Sequence, residues 1–216
     1  WAALLGAATV LFVVCAAPLL AIVWRALQAL LVGQGAVVLT DAETLDALWN
    51  TVRFSGMALG LATGLGLVHA LGVRALDAAA QARHAGPGPG ALALVWRAAA
   101  FLPFVVSSVT VAFGLLLLYP DWTASLALLV AAYALLAYPF VAKSLTAALD
   151  SLPASYAQAA ATLGARPWRV LWRVTLPLVA PALRRGMAFA AATALGEFAV
   201  TLFLSRPEWT TLTTLI

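Results

Sequence analysis

Glu197 is a carboxylate set well inside an apolar run, "LRRGMAFAAATALGEFAVTLFL" (Leu183–Leu204). An ionisable group at such a place is a functional candidate by default, because burying it is costly. Counting about 13 residues from Arg184 at about 1.5 Å each places it roughly 20 Å from the inner face. Arg53, a few residues into another apolar run, lies at similar depth. Glu197 can therefore pair with Arg53, meet a cation crossing the membrane, or simply reach the outer interface. Bond-making chemistry has little to work with. A hydrolase buried among such runs needs two or more polar groups facing each other. The chain has no Gly-x-Ser-x-Gly, no His-x-x-Glu-His-like cluster, no paired aspartates in its apolar runs and no Gly-x-x-x-x-Gly-Lys-Ser/Thr phosphate cradle. His69 has no neighbouring His, Cys or carboxylate, and the lone Cys15 rules out a disulfide framework and a cysteine metal site.

The elements that hold these residues are long and apolar. The chain is 64% hydrophobic and only 9% charged, with mean hydropathy +1.02. Soluble domains run about 45–50% apolar and about 25% charged, so the composition indicates an all-α, polytopic membrane bundle. A spanning helix needs roughly 20 apolar residues. Five runs qualify: about Ala2–Val23, Leu48–Val73, Ala98–Leu118, Ala124–Val141 and Leu183–Leu204. The second carries Gly56, Gly60, Gly64 and Gly66, a spacing that suits close helix packing. A polar linker is expected from Arg74 to Gly90, and a tight turn at "YPDW". The chain reads as one transmembrane domain over residues 1–216 and as a segment of something longer, with a sixth span cut off.

Lys and Arg in the connections orient such a bundle. With the N-terminus inside, the inner side holds Arg74, Arg83, Arg97, Lys143, Arg166, Arg169, Arg173, Arg184 and Arg185. The outer side holds only Arg25, Arg53 and Arg206, beside Asp41, Glu43, Asp46, Asp121 and Glu208. That imbalance predicts a cytoplasmic N-terminus.

One inner passage, "SYAQAAATLGARPWRVLWRVTLP" (Ser155–Pro177), does not resemble a lipid-spanning helix. Its capping signals predict two short helices with a corner. Pro153 suits a first turn, Gly164 suits the residue after a helix end, Pro167 opens the second helix and Pro177 stops it. The first, about Ala154–Leu163, presents small residues and a flat surface. The second carries Arg166, Arg169 and Arg173 on one face, with Trp168 and Trp172 one turn apart, as a helix at headgroup level would. The residues alone fit a docking helix or an interfacial linker.

The passage resembles the signature of ABC importer permease subunits: E-A-A, three residues, G, nine residues, I, one residue, L-P. Gln158-Ala159-Ala160 stands for E-A-A, Gly164 follows after three residues, and Val174, Thr175, Leu176 and Pro177 close it. Gln158 departs from the usual Glu, removing a charge but keeping hydrogen-bonding reach. The resemblance implies the MetI-like permease fold, with this passage as a cytoplasmic coupling helix. Its docking residues would be Tyr156, Gln158, Ala159, Ala160, Gly164, Arg166, Leu176 and Pro177. It further implies a bacterial inner-membrane location, a cytoplasmic ABC ATPase dimer as partner and an extracytoplasmic substrate-binding protein. A second permease half, fused or a second copy, is also expected. ATP would bind the partner ATPase, with no cofactor on this chain, no catalysis by it and no nucleic acid among its partners. The resemblance extends from about "ALWNTVRFS" (Ala47–Ser55) to "LGEFAVTLFLSRPEWTTL" (Leu195–Leu212), the latter being similar to the end of the second half of ferric-iron and thiamine permeases, with sulfate and molybdate permeases as close relatives. Ferric iron is thus the first cargo expected, thiamine the second, and sulfate or molybdate next. In this setting Glu197 and Arg53 become candidates for the translocation path. A non-transport membrane scaffold fits the composition but leaves the two-part signature unexplained.

Overall fold

A computed structural model describes residues 1–32, 35, 38, 40–82, 88–123 and 125–215. The described residues form helices and turns, without a strand among them. The chain divides into two compact units, Trp1–Leu48 and Trp49–Ile216. The first holds α1 (Ala2–Leu31), which is apolar all round and contains Pro18, and the opening turns of α2 (Ala42–Ala82).

The second unit continues α2 and adds α3 (Gly88–Ala99), α4 (Leu102–Val105), α5 (Ser108–Leu118) and α6 (Leu126–Ser151). Then come α7 (Ala154–Thr162), α8 (Pro167–Val170), α9 (Leu176–Leu195), α10 (Ala199–Leu204) and the short α11 (Leu212–Leu215). Three described helical stretches are long and apolar enough to cross a membrane: Leu4–Leu31, Ala42–Gln81 and Leu126–Ser151.

The remaining two expected spans are interrupted. The third breaks at Val106, whose backbone is extended, leaving α4 and α5 as separate pieces. The fifth begins earlier than expected, at Leu176, and breaks at Gly196–Phe198 before α10. Arg74 to Ala82 and Gly88 to Gly90 were expected in a linker but lie in α2 and α3. Alanine is the strongest helix former, and "RALDAAAQA" is mostly alanine; polarity there marks departure from lipid, not the end of a helix. The linker's residues 83–87 lie outside the described residues. The "YPDW" turn is a single 3₁₀ turn, Pro120–Trp122.

Helix α6 is the central element of the second unit. Ser125 caps it by accepting the Leu128 N–H at 3.2 Å, and apolar residues are buried around most of its circumference. Toward its start, Leu129, Ala132 and Tyr133 pack with Phe54 and Ala58 of α2, Ala112 of α5, Ala194 of α9 and Val200 of α10. Toward its end, Val141, Leu145 and Leu149 pack with Ala62 and Ala70 of α2 and with Val179 and Ala190 of α9. Val141 sits between two glycines. A Cβ on Gly66 would come within 2.7 Å of the Val141 side chain, and one on Gly186 within 3.0 Å of its Cα. The expected glycine row packs only in part, because a Cβ at Gly56, Gly60 or Gly64 would meet nothing within 4 Å.

Candidate functional site: the corner between α6 and α9

The corner is built by local rules. Helix α6 stops at Leu152, and Pro153, with φ −58° and ψ 132°, turns the chain into α7. At the far end of α7 the Gly164 N–H donates to the Ala161 carbonyl at 2.9 Å, and the Ala165 N–H to that of Ala160 at 3.1 Å. This crossed pair is the Schellman ending, whose first donor residue takes the left-handed conformation. Gly164 supplies it at φ +76°. Arg166 then extends the backbone and Pro167 opens α8.

Beyond α8 the helix does not stop at Pro177. It passes through one π turn, Leu171–Thr175, and runs on as α9 to Leu195. Proline removes one N–H and its ring clashes with the carbonyl four residues earlier. The wider π turn just before Pro177 relieves that clash and keeps the helix continuous. The corner is therefore joined to a long packed helix without a loop.

Tyr156, Gln158 and Ala159 are exposed along α7, while Ala157 and Ala160 are half-buried toward the bundle. Gly164 and Arg166 stand at the corner, both exposed. These six of the eight expected docking residues, Ala157 not being among those eight, share one surface or its edge: Tyr156, Gln158, Ala159, Ala160, Gly164 and Arg166. The other two do not join it. Leu176 packs against the core cluster around Val141, Leu145 and Leu149, and Pro177 lies past the π turn. Trp168 and Trp172 meet edge to face at 5.3 Å, with Arg169 and Arg173 exposed beside them.

At the other end of α9, the structure does not pair Glu197 with Arg53. Arg53 is exposed, and the ion pairs among the described residues are Arg97 with Asp77 and with Asp150. Glu197 is 9% exposed, and its Oε1 accepts the Val200 N–H at 3.1 Å. It thus caps α10, satisfying an N–H that the helix break leaves without a helical partner. The Glu197 carbonyl accepts from the Tyr133 hydroxyl at 3.2 Å and from the Thr213 hydroxyl at 3.0 Å. Tyr133 also bonds Thr201.

Sequence reasoning missed this network and a second one nearby. The Asn50 amide donates to the Glu208 and Thr210 carbonyls, both at 3.1 Å. The Leu212 N–H donates to the Thr51 hydroxyl at 2.9 Å. The two segments that resembled known permeases, around Ala47–Ser55 and Leu195–Leu212, are thereby stitched together. The available signal was Asn-Thr beside an apolar run, where amide and hydroxyl need partners.

Comparison with known proteins identifies the family. A family model described as binding-protein-dependent transport system inner membrane component matches residues 85–214. The chain is 46% identical over 78 residues to the molybdenum transport system permease protein ModB of Mycobacterium bovis, covering 36% of this chain and 30% of that protein. ModB of Escherichia coli is 40% identical over 73 residues, 34% of this chain and 32% of that protein. A Salmonella typhimurium protein provisionally named 2-aminoethylphosphonate transport system permease protein PhnV is 30% identical over 116 residues, 52% of this chain and 44% of that protein. The match thus spans less than half the length of each of these relatives. The family match covers more than half of this chain, including α3 to α10 and the Gly164 corner. The chain belongs to the family of binding-protein-dependent transport system inner membrane components, the permeases of ABC importers.

Proposed function

We propose that this chain forms one half of the translocation path of an ATP-driven importer for a small oxyanion, working by alternating access. The observation that carries the reading is α7: a short, exposed, alanine-rich helix, closed by the left-handed Gly164 and followed, after the corner at Leu163–Arg166, by α8, which runs into α9 without a loop. A push on such a helix is passed to a packed span rather than lost in a flexible connection. A separate cytoplasmic ATPase dimer seats on Tyr156, Gln158, Ala159, Ala160, Gly164 and Arg166. ATP is hydrolysed there, and a binding protein delivers cargo from the outer side. The chain itself makes and breaks no covalent bonds.

Two observations support an oxyanion. Relatives are named for molybdenum and for 2-aminoethylphosphonate, and molybdate and phosphonate groups are both oxyanions. Glu197, the carboxylate that a cationic cargo would meet, is already engaged with the Val200 N–H. A second reading, ferric iron and after it thiamine, rests on the likeness of Leu195–Leu212 to permeases for those cargoes.

Uptake separates the two. Cells lacking the intact gene, restored with wild type or with Gly164→Asp, are offered labelled molybdate, 2-aminoethylphosphonate, ferric iron and thiamine in parallel. The oxyanion reading expects molybdate or phosphonate uptake to return with wild type only. Return of iron or thiamine instead sinks the cargo assignment and leaves the coupling scheme standing. Equal uptake by Gly164→Asp, with its ATPase held as firmly as by wild type, sinks the docking assignment.

A further inference from the structure

We propose that the end of the bundle that carries Arg97 holds a site for the phosphate group of an anionic lipid, built by His69, Lys143 and Thr146. A cavity of about 220 Å³ lies there between α2, α3 and α6, lined among others by His69, Arg97, Phe101, Lys143, Thr146 and Asp150. Its carboxylate is already used, because Arg97 donates to Asp150 Oδ2 at 2.7 Å and to Oδ1 at 3.2 Å. Its other donors are not. Among the described residues no hydrogen bond or ion pair engages His69, Lys143 or Thr146. The unpartnered polar atoms shut off from water there belong to Ser55 and Arg74. The His69 nitrogens are therefore open, although the residue is only 7% exposed, and the cavity is the space beside them.

The donors are held in place. His69 lies flat against Trp96, with ring centres 5.6 Å apart and planes 15° apart. Gly72 permits this, since a Cβ there would come within 3.3 Å of the Trp96 Nε1. The Lys143 ammonium stands 4.0 Å from the centre of the Phe101 ring and 5.4 Å from that of Phe104, a contact that fixes a cation without neutralising it. Thr146 follows three residues on, on the same face of α6. With Arg97 shared between Asp77 and Asp150, Lys143 is the positive charge left for a ligand. Lysine offers three donors and no acceptor, and neutral histidine one donor. Converging free donors call for an oxygen-rich anion, to which such bonds are charge-assisted and strong. A cation would be repelled by Lys143 and Arg97.

The surroundings favour a lipid over a free ion. Phe101, which lines the cavity, and Phe104, beside Lys143, are nearly half exposed. A basic pocket between helices with aromatic rings at its rim seats a headgroup while the acyl chains lie along the rings; a free ion needs no such rim. The volume far exceeds the roughly 10–15 Å³ that one water requires. An occupied site ties α2 to α6 through one phosphate, at the end where Arg97 already joins α2, α3 and α6. The proposal rests neither on the cargo nor on ATPase docking.

The test uses the intact permease with its partner subunits. Native mass spectrometry, after release from bilayers of equal phosphatidylglycerol and phosphatidylcholine, reads retained lipid. Wild type is expected to retain phosphatidylglycerol with a preference of about tenfold, as one charge-assisted contact gives. Lys143→Gln loses that preference. Ala147→Leu, at another lining residue, fills the cavity, leaves every charge and loses it too. Lys143 and Ala147 are both exposed, so these two variants are expected to fold. His69→Phe, which keeps the ring stack and removes the nitrogens, weakens the preference, as does Thr146→Val. Arg169→Gln, an exposed basic residue outside the cavity, keeps it. Wild type without preference overturns the proposal. So does an equal loss in Arg169→Gln, or a preference untouched by Ala147→Leu, since either traces the effect to surface charge at large. Thermal melting in neutral detergent, with sodium phosphate against sodium chloride at equal ionic strength, reads the free ion. A phosphate-specific rise without lipid preference overturns the lipid as occupant and gives the donors to a free ion.

Discussion

Glu197 shows how far one residue's surroundings decide its role. The side chain sits where a span breaks, and the break exposes N–H groups that no helical carbonyl can reach. Its Oε1 takes one of them, from Val200, so the carboxylate acts as a cap before it can act on any solute. Glutamine keeps that acceptor and alanine removes it. Loss of a cap typically costs about 1 kcal/mol, which for a chain of this size corresponds to about 2–4 °C in melting temperature. Glu197→Ala is therefore expected to melt lower by that amount, while Glu197→Gln melts like wild type and still supports uptake. Uptake abolished in Glu197→Gln at unchanged melting temperature would show that the negative charge itself serves transport. The capping role would then be secondary.

Among the elements, the joint between α8 and α9 separates two requirements that a permease must combine. The π turn at Leu171–Thr175 accommodates Pro177 without stopping the helix. Pro177→Ala removes the cause of the π turn, so a regular helix becomes available and the register of α8, and of the corner before it, rotates against α9. Stability is expected to hold or rise slightly, because proline inside a helix is unfavourable. Under the proposed coupling role, ATPase activity stimulated by the binding protein should fall. A variant with unchanged stimulated activity would show that the π turn has no part in coupling. The corner was legible in the sequence because its signals are local: Pro153, Gly164 and Pro167 each act through their own backbone preferences. The stop expected at Pro177 was wrong because a π turn can absorb one proline. The breaks at Val106 and at Gly196–Phe198 left no such mark, since they fall within continuous apolar composition. The second is sealed by Glu197, Tyr133 and Thr213, which are distant in sequence, and the glycine row gave no sign that Gly66 packs while Gly56, Gly60 and Gly64 do not.

Across the second unit, the two ends of the bundle are held by different forces. At the arginine-rich end Arg97 of α3 reaches Asp77 of α2 at 2.5 Å and Asp150 of α6 at 2.7 Å. At the opposite end the closure is neutral, with Asn50 and Thr51 bonded to residues 208–212. The charged clamp is partly open to solvent, with 33% of the Arg97 side chain and 47% of that of Asp150 exposed. Its net contribution is therefore about 1 kcal/mol, and ions compete with it. The neutral stitch carries no net charge to screen. Arg97→Ala and Asn50→Ala are each expected to lower the melting temperature by about 2–4 °C at low salt. In about 1 M salt, where the screening length is about 3 Å, most of the Arg97→Ala deficit should vanish because wild type has lost the same stabilisation. The Asn50→Ala deficit should persist. Arg97→Lys should resemble Arg97→Ala, since one ammonium cannot reproduce a planar fork shared between two carboxylates. A permease whose ends open in turn would gain from this asymmetry, because one end can then be loosened without the other. An Arg97→Ala deficit independent of salt would show that the guanidinium acts through packing, and the electrostatic account of that end would have to be abandoned.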